Sequence, residues 1–286
     1  MADRIGTPSK SQIRRWAKLT MEKYRRREGL FPAEGGKVVA ELLKSGRPLE
    51  ALLVHEEKIG RWEALLAEAP AGVAIYRMGA REWDALSQDG SPEGVMAMAA
   101  MMPAVDPESL PDGPGPLLLL HEVNNPNNLG AVLRTADWFG FRTVLLSGGS
   151  CEATNPKVVR TSMGSLFHLT LIEEVDFERL LPRLRGRFRI VGSDVREGIP
   201  PHPCAGGTAL LMGSESRGLP ASLLEMTDEK WRIPGGGGAE SLSLPQAAAI
   251  LMYECTRKPE QPAAGALLTT ASSVNNISMS SFRRSP

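Results

Sequence analysis

Residues 124–140 decide the fold: they read Asn-Asn-Pro-Asn-Asn-Leu-Gly-Ala-Val-Leu-Arg-Thr-Ala-Asp-Trp-Phe-Gly and follow the four leucines 117–120. We interpret the leucines as a buried strand and the segment after them as a helix, with Asn128 as its N-cap and Gly140 as its end. Helical side chains lean toward the N-terminus, so we expect Arg134 to point back at Asn128. Such a strand-to-helix turn is typical of ligand sites in open α/β sheets. The alternative is a capped helix with a surface arginine.

Two later segments carry similar signals. Residues 208–212 predict a buried strand that runs directly into Gly213 and Glu215. Gly213 would allow a close backbone approach to a ligand, or the segment is only a turn. Residues 233–246 hold four consecutive glycines and then a capping box that begins at Ser243. Because no Walker A loop and no G-x-G-x-x-G after a strand is present, nucleotide hydrolysis and nicotinamide chemistry have little support.

The rest of the chain predicts an α/β protein in several parts. Further buried strands at 143–146 and 189–192, with helical stretches between, indicate a parallel sheet and a domain over 117–257. Residues 30–102 alternate short helices and strands and predict a smaller α/β domain. Five prolines in residues 103–116 predict a linker between the two domains, and residues 258–286, which have few large apolar side chains, predict a disordered tail.

The N-terminus is strongly basic although the whole chain has a formal net charge of zero. Residues 1–29 hold nine Lys or Arg against three Asp or Glu. A capping box from Ser9 to Gln12, followed by apolar residues at helical spacing, predicts one helix over 9–27. Its basic face favours contact with a polyanion such as RNA, and the alternative is a solvated surface helix.

Composition excludes several other classes. The 286 residues suffice for two domains, and 42% hydrophobic with 23% charged residues is typical of a soluble globular chain. No stretch approaches the roughly 18 apolar residues of a membrane span, and the basic N-terminus lacks the apolar core of a secretory signal. Three scattered cysteines and four widely spaced histidines disfavour a disulfide scaffold and a metal site. These features predict a reduced, cytoplasmic protein.

Taken together and in this order, the three segments resemble the three motifs of the SpoU/TrmH-type RNA 2′-O-ribose methyltransferases, within the SPOUT superfamily. The stretches that carry the resemblance are Asn128-Leu-Gly-Ala-Val-Leu-Arg-Thr-Ala136, Gly213-Ser-Glu-Ser-Arg-Gly-Leu219, and Ile233-Pro followed by Glu240-Ser-Leu242. Residues 160–168 also look like family sequence. Residues 20–102 are more loosely similar to the family's substrate-binding domain, through Arg25-Arg-Arg-Glu-Gly-Leu-Phe31, Glu34-Gly35 and Pro92-Glu-Gly-Val95.

This resemblance implies an α/β fold with a C-terminal trefoil-knotted methyltransferase domain and a small N-terminal α/β RNA-binding domain. It implies methyl transfer from S-adenosylmethionine to a ribose 2′-hydroxyl of structured RNA, with ribosomal RNA favoured over transfer RNA. A homodimer is expected, and neither a membrane nor DNA is expected as a partner. The catalytic groups carried over are Asn128, Arg134, Glu215 and Ser241, and the cofactor-binding backbone groups are those of Gly213, Ile233 and Leu242.

Two positions depart from the family pattern. Ser243 stands where the family usually has asparagine, and Gly235 stands where it usually has methionine. A non-catalytic RNA-binding relative is therefore the alternative function. Removing a proton from an arginine at neutral pH costs on the order of 9 kcal/mol. We therefore expect Arg134 to act as a cation that binds phosphate and stabilises a developing alkoxide, and the base is left open between water and a phosphate oxygen.

Overall fold

The structure is a computed structural model, and it describes residues 4–103, 105–106, 115–204 and 207–258. Most of the predicted linker and nearly all of the predicted tail lie outside these residues. The described chain forms two sheets, one in the N-terminal part, residues 4–103, and one in the C-terminal part, residues 115–258. No helix within these ranges is long and apolar enough to cross a membrane.

The N-terminal part is a mixed sheet with helices. Its strands are β1 (Ile5–Gly6), β2 (Leu30–Glu34), β3 (Leu49–His55), β4 (Ala74–Met78) and β5 (Val95–Ala100). Its helices are α1 (Lys10–Ala17), α2 (Glu22–Glu28), α3 (Gly36–Lys44), α4 (Ile59–Ala67) and α5 (Ala80–Asp84). The strand order is β1-β4-β3-β5-β2, in which β1, β4 and β3 are parallel and β5 runs antiparallel to both of its neighbours.

The predicted single helix over 9–27 is wrong. The capping box of Ser9 is present, but α1 ends at Ala17, a 3-10 turn follows, and Met21 adopts an extended conformation before α2 begins. The break places Leu19 in the core with no exposed surface. The Arg25 guanidinium donates to the carbonyl oxygens of Leu19 and Thr20 at 2.9 and 3.0 Å, so a tertiary contact stabilises the bend.

The C-terminal part is a parallel sheet of six strands. The strands are β6 (Leu117–Leu120), β7 (Thr143–Ser147), β8 (Thr170–Val175), β9 (Arg189–Ser193), β10 (Thr208–Met212) and β11 (Glu229–Trp231). The helices are α6 (Pro126–Phe139), α7 (Pro156–Thr161), α8 (Phe177–Leu184), α9 (Ala221–Leu224) and α10 (Leu244–Thr256). The order is β11-β9-β10-β6-β7-β8, with every pair parallel. The four predicted strands are confirmed, whereas β8 and β11 were not predicted.

Both faces of the parallel sheet are covered, so β6, β7 and β10 are buried along their whole length. One face packs against α6, α7 and α10, and the other packs against α8 and α9. The first of these cores continues into the N-terminal sheet, where the rings of Phe31 and Phe167 lie 6.4 Å apart. The two parts of the chain therefore share one hydrophobic core.

Candidate functional site

The predicted site lies at the carboxyl ends of β6 and β10, which are neighbours in the sheet. From β6 the chain crosses to β7 and β8 on one side, and it enters the other side through β9 and β10. The strand order therefore reverses between β6 and β10. Open α/β sheets bind ligands in the crevice outside the carboxyl ends of such a switch point.

The N-cap of α6 lies three residues earlier than the sequence analysis predicted. Asn125, and not Asn128, is the N-cap: its side chain accepts from the backbone N–H of Asn127 and of Asn128, at 2.9 and 3.4 Å. Pro126 occupies the first helical position, where it needs no hydrogen-bond donor. The end of the helix at Gly140, in a left-handed conformation with φ 78°, is confirmed.

Asn128 is consequently free to reach another part of the chain. Its side-chain amide donates a hydrogen bond to the carboxylate of Glu215, which lies in the turn after β10. This bond joins the first and second motifs directly across the carboxyl edge of the sheet. An amide that donates and a carboxylate that accepts hold each other in a defined orientation, and both retain further polar capacity toward solvent.

The second motif is a tight turn around Gly213. A Cβ atom on Gly213 would stand 2.2 Å from the carbonyl carbon of Gly218 and 2.5 Å from the backbone nitrogen of Leu219. The N–H of Gly218 donates to the carbonyl oxygen of Ser214 at 2.8 Å. Gly213 is buried, whereas Glu215 at the tip of the turn is exposed. The turn that the sequence analysis gave as the alternative is therefore present, and it places Glu215 within hydrogen-bond distance of Asn128.

Arg134 lies two turns into α6 with an exposed side chain. Within the part of the chain that the structure describes, no hydrogen bond or ion pair joins its side chain to another residue, Asn128 included. Asp137, on the next turn, bonds Arg142 at 2.5 Å and the imidazole of His168 at 3.0 Å. The positive charge of Arg134 is therefore available to an external anion.

The third segment runs from the end of β11 to the start of α10. Ile233 is half-buried against the main core, whereas Ser241 and Leu242 are exposed, Leu242 by 45%. The capping box that starts α10 is confirmed: the side chain of Ser243 accepts from the backbone N–H of Gln246, and the backbone N–H of Ser243 donates to the side-chain oxygen of Gln246 at 3.4 Å. No hydrogen bond links Ser241 to the other site residues in the described chain.

The backbone of this segment suits a ligand that is held by peptide groups. Residues 233–242 make no backbone–backbone hydrogen bond to any part of the described chain. Their N–H and C=O groups therefore stay available to a nucleoside or amino-acid moiety such as those of S-adenosylmethionine. Of the predicted cofactor-binding residues, Ile233 and Leu242 fall in this segment, and Gly213 falls in the turn after β10.

The start of the third segment is anchored by a histidine that the sequence analysis did not assign. His202 places Nε2 at 2.7 Å from Glu229 on β11, and its ring lies 5.3 Å from the buried ring of Trp231. Hydrogen bonding of Nδ1 to the Pro203 carbonyl and of Nε2 to Glu229 raises the pKa of His202. The imidazolium form of His202 therefore stabilises β11 through Glu229, and the third segment begins directly after this strand.

Comparison with known proteins agrees with this geometry. Residues 116–253 match the model of the SpoU rRNA methylase family, and residues 10–97 match the MRM3-like substrate binding domain. The chain is 30% identical over 252 residues to the 23S rRNA (guanosine(2553)-2′-O)-methyltransferase RlmP of Bacillus subtilis strain 168, which covers 87% of this chain and 97% of that protein. It is 29% identical to the 23S rRNA (guanosine-2′-O-)-methyltransferase RlmB of Bordetella pertussis over 230 residues, 77% of this chain and 94% of that one.

A solved structure gives the same result. The SpoU methyltransferase AviRb from Streptomyces viridochromogenes, in complex with AdoMet, superposes with a TM-score of 0.75 at 25% identity, over 86% of this chain and 97% of that chain. Fold, site and matches together define an α/β RNA methyltransferase with an N-terminal substrate-binding domain. The chain belongs to the SpoU rRNA methylase family. The predicted family, fold class, enzyme class and cofactor are confirmed.

Proposed function

We propose that this protein transfers a methyl group from S-adenosylmethionine to a ribose 2′-hydroxyl of ribosomal RNA. The observation that carries the proposal is the hydrogen bond from Asn128 to Glu215 at the carboxyl ends of β6 and β10, on the helix that also carries the exposed side chain of Arg134. Relatives of similar length are named 23S rRNA 2′-O-methyltransferases. That shared name favours ribosomal over transfer RNA.

For this reaction the protein has to align the reacting groups and stabilise the negative charge that develops on the 2′-oxygen. When bound, S-adenosylmethionine supplies an activated methyl group. The backbone of Gly213, Ile233 and Leu242 holds the cofactor. Arg134 binds the phosphate beside the target ribose and stabilises negative charge that develops on the 2′-oxygen, and it stays protonated throughout.

The remaining polar groups orient the ribose. Asn128 and Glu215, fixed by their mutual hydrogen bond, present an amide and a carboxylate at the mouth of the crevice. Ser241 supplies a hydroxyl from the third segment. These groups would orient the 2′-hydroxyl toward the methyl group of the bound cofactor. Such positioning makes the transfer effectively unimolecular, which lowers its barrier.

The basic N-terminus serves as the RNA-binding surface. The exposed cations of α1, the 3-10 turn and α2 that form no ion pair within the described chain are Lys10, Arg14, Lys18 and Lys23. Such cations bind phosphates without reading sequence. We propose that this surface lies in a basic segment over 1–29, which precedes a substrate-binding domain over 30–102. The linker 103–116 joins that domain to the methyltransferase domain 117–257, and nearly all of the predicted tail 258–286 lies outside the described residues. In this scheme the protein works in the cytoplasm.

The active form is a homodimer built on α6 and α10. These helices pack side by side, and the rings of Phe139 and Tyr253 lie 6.2 Å apart. Beside them Trp138 is 83% exposed and Tyr253 is 54% exposed, and Ile250 adds further apolar surface. An exposed apolar patch of this kind marks a protein interface. In the same family-based scheme, the C-terminal segment forms a trefoil knot.

The test combines cofactor binding with methyl transfer. Calorimetric titration should give about one S-adenosylhomocysteine per protomer, and the protein should methylate 23S rRNA transcripts. Arg134→Ala should lower transfer on the order of 100-fold or more, because it removes the phosphate contact and the charge stabilisation of the transition state. Folding and cofactor affinity should be unchanged, because Arg134 is exposed and is not among the residues that hold the cofactor. Arg179→Ala, an exposed arginine on α8 that bonds only within its own first turn, is the matched control.

Two results would contradict the proposal. If folded protein binds no S-adenosylhomocysteine, the chain is an RNA-binding relative without methyl transfer. The serine at 243 and the tetraglycine at 235–238 favour that second candidate, since Ser243 lacks the paired donor and acceptor of a carboxamide. If Arg134→Ala methylates RNA as well as the parent does, Arg134 has no part in the reaction.

A further inference from the structure

A buried ion pair joins the two parts of the chain. Arg25 on α2 and Glu152, in the loop between β7 and α7, form a salt bridge in which the side chains are 2% and 5% exposed. They lie 127 residues apart in sequence. Arginine and glutamate are almost never so deeply buried unless they are paired, so this contact belongs to the folded arrangement of both parts.

Each member of the pair is also fixed to its own part of the molecule. The Arg25 guanidinium donates to the carbonyl oxygens of Leu19 and Thr20 in addition to Glu152. The second oxygen of Glu152 accepts from the hydroxyl of Thr154. Because the guanidinium is planar and its donors diverge at set angles, three acceptors determine its orientation as well as its position.

Two further charged contacts join the N-terminal part to the C-terminal part. The imidazole of His168 lies between Glu41 on α3, at 3.2 Å, and Asp137 on α6, at 3.0 Å. Arg160 at the end of α7 pairs with Asp89 of the N-terminal part at 3.3 Å. The helix that carries Asn128 and Arg134 is thus connected to α3 through a single imidazole.

We propose that Arg25 and Glu152 are positioning residues for methyl transfer. They fix the N-terminal part, with its basic surface, at one distance and angle from the crevice that holds Arg134, so that one RNA engages both at once. The two domains then form one rigid body when they bind RNA, and they do not rotate relative to each other. This inference rests on the proposed function, because the distance matters only if the crevice acts on the RNA that the basic surface holds.

Three variants separate positioning from simple folding. Arg25→Met leaves the buried carboxylate of Glu152 without its positive ion-pair partner and should destabilise the protein. Arg25→Met combined with Glu152→Met removes both charges at similar volume, and such replacement of a buried pair by apolar groups generally restores stability. Arg179→Met, which removes an exposed arginine from a short-range ion pair on α8, is the control for loss of a positive charge.

The decisive measurement is made on the double variant. It should regain the melting temperature of the parent and bind S-adenosylhomocysteine with unchanged affinity, yet methylate 23S rRNA with a kcat/KM reduced roughly 10- to 100-fold, since small misplacements of reacting groups have effects of this size. Small-angle X-ray scattering should show a broader distribution of interatomic distances than in the parent and in Arg179→Met. A double variant with parental kcat/KM or a parental scattering profile overturns the proposal.

The same experiment distinguishes failure of the proposed function. If the parent binds S-adenosylhomocysteine but methylates no ribosomal RNA, the proposed function fails and the role in positioning RNA for transfer falls with it. Scattering then reports only whether the pair holds the two parts together. If the parent methylates rRNA and the double variant does so equally well, only the positioning proposal is lost.

Discussion

Gly130 of the first motif and Gly213 of the second have surroundings opposite to those of the four glycines of the third motif. A Cβ on Gly130 would stand 1.9 Å from the hydroxyl oxygen of Thr161 and 2.7 Å from the carbonyl oxygen of Val158, because α6 and α7 pack closely there. Gly213 is equally crowded by the backbone of its own turn. Gly235 to Gly238 have nothing within 4 Å of the same position.

The difference separates a fixed part of the site from an adaptable one. Where neighbouring backbone leaves room only for a glycine, the local backbone conformation is fixed when the chain folds, before any ligand binds. Where glycines stand in open space, they add conformational freedom to a segment whose peptide groups are unpaired. We infer that Asn128 and Glu215 are placed by folding, whereas residues 234–243 take their final conformation around the cofactor.

The substitution Gly213→Ala should have the largest effect, because the new methyl group meets backbone that no side-chain rotation can move. We expect a loss of about 3 kcal/mol in the free energy of unfolding, and a displaced Glu215 that weakens S-adenosylhomocysteine binding severely. Chemical denaturation and calorimetry measure the two effects. A variant with parental stability would show that the turn is not as tight as the structure has it.

The substitution Gly130→Ala should come next, with a loss of about 2 kcal/mol as α6 and α7 move apart. Cofactor binding should fall less than in Gly213→Ala, since Thr161 can give way in part. Gly60→Ala is the matched control: Gly60 is also helical, but open space surrounds it, so alanine should stabilise by about 0.5–1 kcal/mol. Equal destabilisation by both changes would mean that helix packing at Gly130 is not the cause.

The fixed part of the site was also the part that could be predicted from sequence, though not completely. The strands β6 and β10 were correct because burial on both faces gives a continuous apolar run. Strand β8 was missed because Glu173 and Glu174 interrupt its apolar pattern, and β11 because three residues carry no periodicity. The N-cap was assigned to the wrong asparagine of Asn-Asn-Pro-Asn-Asn, although proline at the first helical position was the available signal.

Contacts between distant residues set the limit of the sequence analysis. Nothing local distinguishes Arg25 from Arg26 and Arg27, yet Arg25 is buried against Glu152 while its neighbours face solvent. The break in the predicted N-terminal helix depends on the same arginine. The hydrogen bond between Asn128 and Glu215 likewise spans 87 residues, and it follows from strand order rather than from either motif.

A smaller effect on stability is expected from His202, which contacts β11 just before the adaptable third segment. Because the pKa of His202 is raised in the folded protein, its contribution to stability is fully present below the unfolded value of about 6.5 and is lost as pH rises through the folded value. The imidazole is partly exposed, so we expect about 0.5 kcal/mol. The difference in unfolding free energy between the parent and His202→Gln should therefore shrink as pH rises above about 6.5. A difference that grows over this range would contradict the role of the imidazolium.

The smallest effect is expected from Gly236→Ala, which makes the same chemical change as Gly213→Ala in open space. Its φ is not of the kind that requires glycine, and no atom lies within 4 Å of the added methyl group. The free energy of unfolding should change by less than about 0.5 kcal/mol. Affinity for S-adenosylhomocysteine should change by less than roughly threefold, since alanine removes some freedom from the free loop without blocking its closure. If Gly236→Ala instead impairs binding as strongly as Gly213→Ala, residues 234–243 are as rigidly specified as the turn at Gly213, and the division of the site into a fixed and an adaptable part is wrong.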